Sequence, residues 1–272
     1  MMLDSLLFSA ARVWTFIDEQ MLTSASGFFF EADQHLFLIT SRHVFTDEDS
    51  AHYPNRIEIE VHTAADNLAA STGFSMPLYL ERKSVWRDGR DSEGVVDVAA
   101  IEIERDALPD GAVIHPFTPA HLPTASDHVE IGSSLLVVGF PLGFHDALHH
   151  MPVVRQAALA SAFGLRFDGH GYFLTDARTH RGTSGAPVVM RVPEDESRLG
   201  ALPWLLLGVH SSRVDIGSRD LEVDEALGLN CAWYSNILPT LVGPRAVAKP
   251  SKVSPVASPA PGPPGESGRE AL

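Results

Sequence analysis

The residues most able to do chemistry in this sequence surround Ser184. The segment "RGTSGAPVVM" at positions 181–190 places Ser184 between two glycines and continues as an apolar run that predicts a strand. Gly182 lets the backbone turn so that its N–H and that of Ser184 converge, and paired N–H donors stabilise the oxyanion of an acyl-transfer intermediate. The same residues are also typical of a Gly/Ser/Pro turn that enters a strand. The segment alone therefore leaves two interpretations open, a nucleophile and a turn residue.

A serine nucleophile needs a base and a group that orients the base. His43 follows directly after an apolar run in "FLITSRHVF", so the end of a rigid strand would hold it. Asp97 lies inside the apolar segment "VVDVAAIEI", where a carboxylate is costly unless it has a partner. Taken singly, His43 is better explained as a structural histidine and Asp97 as a strand-edge or turn aspartate. Taken together, the chain order His, Asp, Ser favours a catalytic triad.

Short apolar segments that predict β-strands surround these residues. Gly, Pro, Asp and Asn separate them at short intervals, and one of them alternates strictly between apolar and polar residues, as a half-buried strand does. The predicted strands cover 26–32, 35–41, 56–63, 95–103, 134–140, 171–177, 185–191 and 204–211. Helices are predicted only at 44–49 and 235–242. Many short strands with little helix indicate a sandwich or a barrel of the all-β class.

These segments together resemble the chymotrypsin-like serine peptidases, and most closely the bacterial trypsin-like peptidases related to the HtrA family. "SGFFFEADQHLFLITSRHVF" is similar to the strands that lead to the catalytic histidine, "DVAAIEI" to the aspartate strand, and "TDARTHRGTSGAP" to the nucleophile loop. "IGSSLLVVGFPLG" resembles the start of the second barrel, and "LLLGVHSS" the wall of the specificity pocket. The resemblance covers residues 10–242 and implies two six-stranded antiparallel β-barrels with the active site between them.

The resemblance also implies a role for each site residue. Ser184 attacks the substrate, His43 takes and returns the proton, Asp97 orients His43, and the N–H groups of Gly182 and Ser184 bind the oxyanion. Digestive members carry an aspartate directly before the serine, which pairs with a new N-terminal amine after cleavage. Thr183 stands there in this chain, so activation by a buried ammonium is not expected.

Four residues are predicted to bind substrate, because the resemblance assigns the pocket to the segment before Ser184 and to the strand after it: Arg178, Thr179, His210 and Ser211. Thr179 and His210 resemble the pair that receives a substrate carboxylate in glutamate-specific bacterial members. A charge-assisted hydrogen bond there would supply roughly 1.5–3 kcal/mol of discrimination. We therefore hypothesise a preference for acidic residues before the scissile bond. In the alternative interpretation His210 is a core histidine and Arg178 faces solvent.

The predicted organisation has three parts. Residues 1–130 form a first barrel with the histidine, the aspartate and a proline-rich connector, and residues 131–243 form a second barrel with the nucleophile, the pocket and a short C-terminal helix. Residues 244–272 hold 7 of the 19 prolines and no aromatic residue, which predicts a disordered tail. The tail is a candidate binding segment for a partner.

Composition limits the partners and the location. Acidic residues outnumber basic ones by 35 to 20, which argues against nonspecific binding to nucleic acid or to an anionic membrane. Asp4 and Arg12 interrupt the apolar N-terminal segment, so we expect no signal peptide and no membrane-spanning helix. A single cysteine, Cys231, excludes an intrachain disulfide and favours the cytoplasm.

No cofactor and no metal are expected. Three histidines near the start of the second barrel, His145, His149 and His150, include a pair spaced four residues apart that suits a metal. The chain has no "HExxH" motif, however, and the segment follows "FPLGF", so a solvated loop is favoured over a zinc site. Hydrolysis through an acyl-enzyme needs no cofactor.

The leading hypothesis is a serine endopeptidase that acts on proteins or peptides. An α/β-hydrolase esterase would need a Gly-x-Ser-x-Gly elbow, alternating helices and the order Ser, Asp, His. The segment "GTSGA" lacks the last glycine, so this alternative is weaker. A catalytically silent scaffold, with a cleft or tail that recruits a partner, stays open because a triad in the sequence does not prove an assembled site.

Overall fold

The computed structural model describes residues 4–192, 199–213 and 228–244, with the side chains of Ser212 and Arg213 outside this description. The predicted disordered tail lies outside the described residues, apart from Pro244. Two antiparallel sheets make up most of the described chain, and the helices are short. These features confirm the predicted all-β fold class. None of the described helices is long and apolar enough to cross a membrane.

The first half of the chain forms a seven-stranded sheet. Its strands are β1 (Ala10–Ile17), β2 (Gln20–Ala32), β3 (His35–Thr40), β4 (Arg56–His62), β5 (Ser71–Pro77), β8 (Trp86–Asp91) and β9 (Gly94–Ile103). A hairpin of β6 (Tyr79–Leu80) and β7 (Lys83–Ser84) comes between β5 and β8, and helix α1 (Arg42–Phe45) follows β3. The strand order is β5-β4-β1-β2-β3-β9-β8, so the aspartate strand β9 pairs with the strand before the histidine.

The second half forms a six-stranded sheet. Its strands are β10 (Ser134–Gly139), β11 (Val153–Ala158), β12 (Tyr172–Thr175), β13 (Pro187–Arg191), β14 (Trp204–Arg213) and β15 (Asn230–Tyr234), in the order β11-β10-β13-β14-β15-β12. A bridge between Leu159 and Thr175 joins the two edge strands, so this sheet closes on itself. A 3-10 turn (Ser235–Ile237) and helix α2 (Leu238–Val242) follow β15.

The phenylalanine run of β2 is buried on both faces of the first sheet. Phe29 packs inside the first sheet with residues such as Leu38, whereas Phe28 and Phe30 point the other way into a core shared with the second sheet. Val138 is among the second-sheet residues in that shared core. Because side chains alternate along a strand, only a continuous apolar run can fill two cores at once.

The connector between the sheets, residues 104–133, is anchored rather than loose. Phe117 is fully buried in the shared core, and its backbone N–H donates to the carbonyl of Phe29 at 2.9 Å. Its own carbonyl accepts from the N–H of Glu31 at 2.7 Å. The division at residue 130 stays a prediction, since the connector packs against both halves.

All eight predicted strands are present, with ends that differ by a few residues. Sequence reasoning missed β1, β5, β8, β11, β15 and the small hairpin. The missed strands β8 ("WRDGRD") and β11 ("VVRQAA") lie largely at the surface, so polar residues are tolerated in them and the run of apolar residues that indicates a buried strand is short or broken. The first sheet therefore has one strand more than the six that the resemblance implied. The first predicted helix is shorter and starts earlier, at Arg42, and the second is divided into a 3-10 turn and α2.

Candidate active site

His43 and Asp97 meet where α1 leaves the end of β3. The Nδ1 atom of His43 lies 2.7 Å from Oδ2 of Asp97, and the backbone N–H of His43 donates to Oδ1 at 2.8 Å. The carboxylate therefore holds both the ring and the backbone of the histidine. Because Nδ1 carries the proton in this hydrogen bond, Nε2 is left as the basic atom.

The surroundings of His43 raise its pKa above the ordinary histidine value. Burial is the largest influence and acts to lower the pKa. The hydrogen bond to Asp97, with the negative charges of Asp97 and Asp47, acts in the opposite direction and outweighs it. An imidazolium at this position is therefore stabilised, as a base that accepts a proton requires.

Ser184 lies in a tight turn that contacts the first sheet. Its backbone carbonyl accepts from the N–H of Ser26 at 2.9 Å, and the hydroxyl of Ser26 donates to the carbonyl of Gly182 at 2.7 Å. The Ser184 hydroxyl donates to the carbonyl of Ser211 at 3.0 Å. Ser184, Gly182 and His43 line one open cleft of about 730 Å³.

The turn requires glycine on both sides of the nucleophile. Gly182 has φ +90°, and a Cβ atom there would lie 2.7 Å from the carbonyl oxygen of Phe140. Gly185 has φ +85°, and a Cβ atom there would lie 2.1 Å from Oγ1 of Thr40 and 2.2 Å from the carbonyl oxygen of Ser26. These positive φ values combined with close backbone contacts exclude any residue with a side chain.

Two backbone donors beside Ser184 are available to a ligand. The carbonyl of Arg181 accepts from the N–H of Leu142 at 2.5 Å, which turns this peptide group toward the loop after β10. Within the described parts of the chain, the N–H groups of Gly182 and Ser184 donate no hydrogen bond. Free N–H groups in a cleft can hold an oxyanion.

Thr179 and His210 are buried, and neither is among the residues that line the cleft of His43 and Ser184. The hydroxyl of Thr179 donates to Oδ1 of Asn230 at 2.6 Å. His210 is 2% exposed, and its Nδ1 has no hydrogen-bond partner among the described residues. Burial, followed by repulsion from His43, lowers the pKa of His210 to about 4, so this imidazole is neutral at pH 7.

Two of the predicted pocket residues have other surroundings. Arg178 is exposed and lines a separate depression beside β11, because neighbouring side chains alternate in direction and its neighbours Ala177 and Thr179 point inward. Arg178 is not among the residues that line the cleft of His43 and Ser184, and its part in substrate binding stays a prediction. The hydroxyl of Ser211 donates to Oδ2 of Asp97, so its side chain positions the aspartate instead of offering its proton to a substrate.

Sequence reasoning missed Ser26, Thr40, Asp47 and Asn230. Thr40 donates its hydroxyl to the carbonyl of Ser26 at 2.7 Å, so both residues position the nucleophile turn. Asn230 donates its amide to the carbonyl of Ala177 at 2.5 Å and accepts from Thr179. For Ser26, Thr40 and Asn230 the sequence signal was a polar residue within a buried strand, which needs a hydrogen-bond partner.

A pair of antiparallel β-sheets that holds a serine and a histidine–aspartate pair in one cleft is the architecture of the chymotrypsin-like serine peptidases. The model of the trypsin-like peptidase domain family matches residues 25–192, and the chain belongs to this family. The matched range includes His43, Asp97 and Ser184.

Among solved structures, the chain is similar to the serine endoprotease from Yersinia pestis, with 17% sequence identity and a TM-score of 0.48. The alignment covers 86% of this chain and 61% of that protein, so the chain spans less than two thirds of the endoprotease. No curated protein matches the sequence.

Proposed function

We propose that this chain is a serine endopeptidase that hydrolyses peptide bonds in proteins through an acyl-enzyme intermediate. The observation that carries the proposal is the common cleft of His43 and Ser184, in which Asp97 bonds the histidine and two backbone N–H groups have no acceptor among the described residues. Base, nucleophile and oxyanion donors are the three parts that acyl transfer needs.

The proposed reaction begins when Nε2 of His43 takes the hydroxyl proton of Ser184 and Oγ attacks the substrate carbonyl carbon. Rotation about the Cα–Cβ bond of Ser184 moves the hydroxyl from the carbonyl of Ser211 toward the histidine. The N–H groups of Gly182 and Ser184 stabilise the oxyanion, and Asp97 stabilises the imidazolium.

Collapse of the tetrahedral intermediate breaks the C–N bond, and His43 donates its proton to the leaving amine. A water molecule then loses a proton to His43 and attacks the acyl carbon. The second collapse releases the carboxylate product and returns the proton to Ser184. The hydroxyl of Ser211 keeps Asp97 in place throughout both steps.

We infer that the pocket prefers an acidic residue before the scissile bond. His210 supports this preference because, among the described residues, its buried Nδ1 has no hydrogen-bond partner. A substrate carboxylate would accept a hydrogen bond from this neutral imidazole, at a gain of roughly 1.5–3 kcal/mol over an uncharged side chain. The Thr179 hydroxyl donates its one proton to Asn230, so it supports the pocket without binding the carboxylate itself. Arg178 is exposed and has no part in this preference.

Labelling with a fluorophosphonate probe, which captures an activated serine, tests the proposal. We expect the wild type to gain the mass of one probe less hydrogen fluoride, since fluoride leaves phosphorus as Oγ of Ser184 bonds to it, and the Ser184→Ala and His43→Ala variants to gain none. A folded wild type that resists the probe would contradict an assembled active site and favour the silent scaffold. The esterase alternative does not fit, since the described residues form two antiparallel sheets and lack the alternating helices of that fold.

A further inference from the structure

Outside the catalytic cleft, three side chains that commonly ligate transition metals converge on one point. They are Glu60 of β4 and His145 and His150 of the loop between β10 and β11, and one ligand atom of each lies within 4.8 Å of the other two. The sequence spacing drew attention to His145 with His149, whereas the fold brings His150 and a distant glutamate to His145. We propose that Glu60, His145 and His150 bind a divalent transition-metal ion of the Zn²⁺ type.

Glu60 and His150 lie close enough to be two neighbouring ligands. Oε1 of Glu60 lies 2.8 Å from Nδ1 of His150, but this Nδ1 makes no hydrogen bond within the described residues, so no shared proton joins the two atoms. A Zn²⁺ ion binds nitrogen and oxygen ligands at about 2.0–2.2 Å, which sets tetrahedral ligands roughly 3.3 Å apart. An ion bound by both atoms therefore needs a slightly larger separation and a turn of the imidazole that points the Nδ1 lone pair at it.

His145 is oriented as metal-binding histidines commonly are. Its Nδ1 lies 2.8 Å from the carbonyl oxygen of Gly143 and donates to it, which leaves the lone pair on Nε2 for an ion. One guanidinium nitrogen of Arg12 lies 3.2 Å from Nδ1 and 3.4 Å from Nε2 of this ring, so its positive charge opposes an ion at Nε2. Arg12 also lies over the ring of Trp14, at 4.4 Å from the centroid, so it keeps a contact when it leaves the histidine.

The surroundings allow an ion to enter and support the ligands. The side chains of His150 and Glu60 are 25% and 17% exposed, so solvent reaches the site and a water can complete the coordination. His62 holds the backbone of the loop, because its Nε2 donates to the carbonyl of His149 at 2.7 Å. The ligand set thus ties a loop of the second sheet to strand β4 of the first.

Binding of Zn²⁺ and Co²⁺ to full-length protein, stripped with a chelator and freed of any polyhistidine tag, tests this proposal. Calorimetry gives stoichiometry and affinity, and the visible absorption of Co²⁺ reports its coordination. The informative variants are His150→Ala and Glu60→Gln. His149→Ala is the matched control, because this neighbouring histidine bonds Asp146 and lies outside the triplet.

We expect one ion per chain in the wild type, in His149→Ala and in the catalytically inactive Ser184→Ala. The two ligand variants should lose more affinity than the roughly 10–100-fold that loss of a partner outside the coordination shell costs. Arg12→Met should bind more tightly than the wild type, because the competing cation is gone. Circular dichroism confirms that each variant is folded.

A wild type that binds no ion overturns the proposal. Equal affinity in the wild type, His150→Ala and Glu60→Gln also overturns it, because the ion would then bind other histidines of the chain. Failure of probe labelling leaves this result unaffected, because Ser184→Ala retains the three ligands.

Discussion

At the scale of single residues, Asp97 is the best connected group of the site. Its carboxylate accepts from the backbone N–H of His43, from the ring of His43 and from the hydroxyl of Ser211. A carboxylate with three donors keeps its position and has its hydrogen bonds satisfied, which explains why an aspartate is tolerated within the apolar strand β9.

Replacement of Asp97 by asparagine should slow probe labelling by about 10⁴-fold, because an amide of the same shape can hold the wrong histidine tautomer. The labelling rate constant at fixed pH checks this expectation. Ser211→Ala, which removes only the third donor, is the milder comparison and should slow labelling less. A loss below tenfold for Asp97→Asn would show that the aspartate does not orient His43.

The pH dependence of labelling should follow the protonation of His43. Only the neutral imidazole is a base, so the rate rises with pH, and the raised pKa of His43 places the midpoint above the ordinary value of about 6.5. In Asp97→Asn the midpoint should move to lower pH. The raised pKa also stabilises the fold most in acid, and this contribution is lost as pH rises through the folded-state pKa. A midpoint that is unchanged in the variant would contradict the assignment.

Specificity should depend on His210. Peptide substrates that differ only by Glu or Gln before the scissile bond measure the preference as a ratio of kcat/KM. We expect a ratio of roughly 10–100 in the wild type and a ratio near one in His210→Leu, since 1.4 kcal/mol is tenfold. Arg178→Ala is the control and should keep the wild-type ratio. Equal rates for both peptides in the wild type would refute the acidic preference.

At the scale of elements, the nucleophile turn is clamped between strands of the two halves. Ser26 of β2 bonds both Gly182 and Ser184, and the N–H of Gly185 donates to the carbonyl of His210 of β14 at 2.7 Å. A turn with these anchors has little freedom, so the oxyanion donors are held before substrate arrives.

Gly185→Ala should destabilise the protein by roughly 2–5 kcal/mol, because backbone strain adds to overpacking against Thr40 and Ser26. Gly132→Ala is the matched control, since Gly132 has a similar φ of +83° but nothing within 4 Å of the added Cβ. It should cost only about 1–2 kcal/mol of backbone strain. Chemical denaturation measures both values, and equal losses would argue against the close contact at Gly185.

At the scale of the whole molecule, one shared core joins the two sheets. Phe28, Phe30 and Phe117 of the first half and connector pack with Val138 and Leu206 of the second. The catalytic residues come from both halves, so the relative position of the sheets determines the site geometry.

Truncation in the shared core should therefore affect the whole protein. We expect Phe30→Ala to lower the free energy of unfolding by about 3–5 kcal/mol, with a single transition observed by both near-UV and far-UV circular dichroism. Two separate transitions would show that the halves unfold independently. The matched surface variant Phe144→Ala, which removes an exposed aromatic side chain, should have little effect.

The residue types of the site and most of the strands are encoded locally. The apolar run before His43, the aspartate within an apolar strand and the glycines around Ser184 predicted the fold class, because strand patterns and turn chemistry depend on neighbouring residues. The triad of His43, Asp97 and Ser184 stays a prediction. The same reasoning failed for β8, a polar edge strand whose apolar pattern is weak.

Only the tertiary structure decided which distant side chains meet. The register of β2, β9 and β14 brings Ser26 to the nucleophile turn and Ser211 to Asp97. The direction of one side chain in an extended segment removed Arg178 from the cleft, and the closure of the loop after β10 placed His150 beside Glu60. Contacts of this kind depend on sheet pairing between residues far apart in the chain, and no local pattern of residues specifies that pairing.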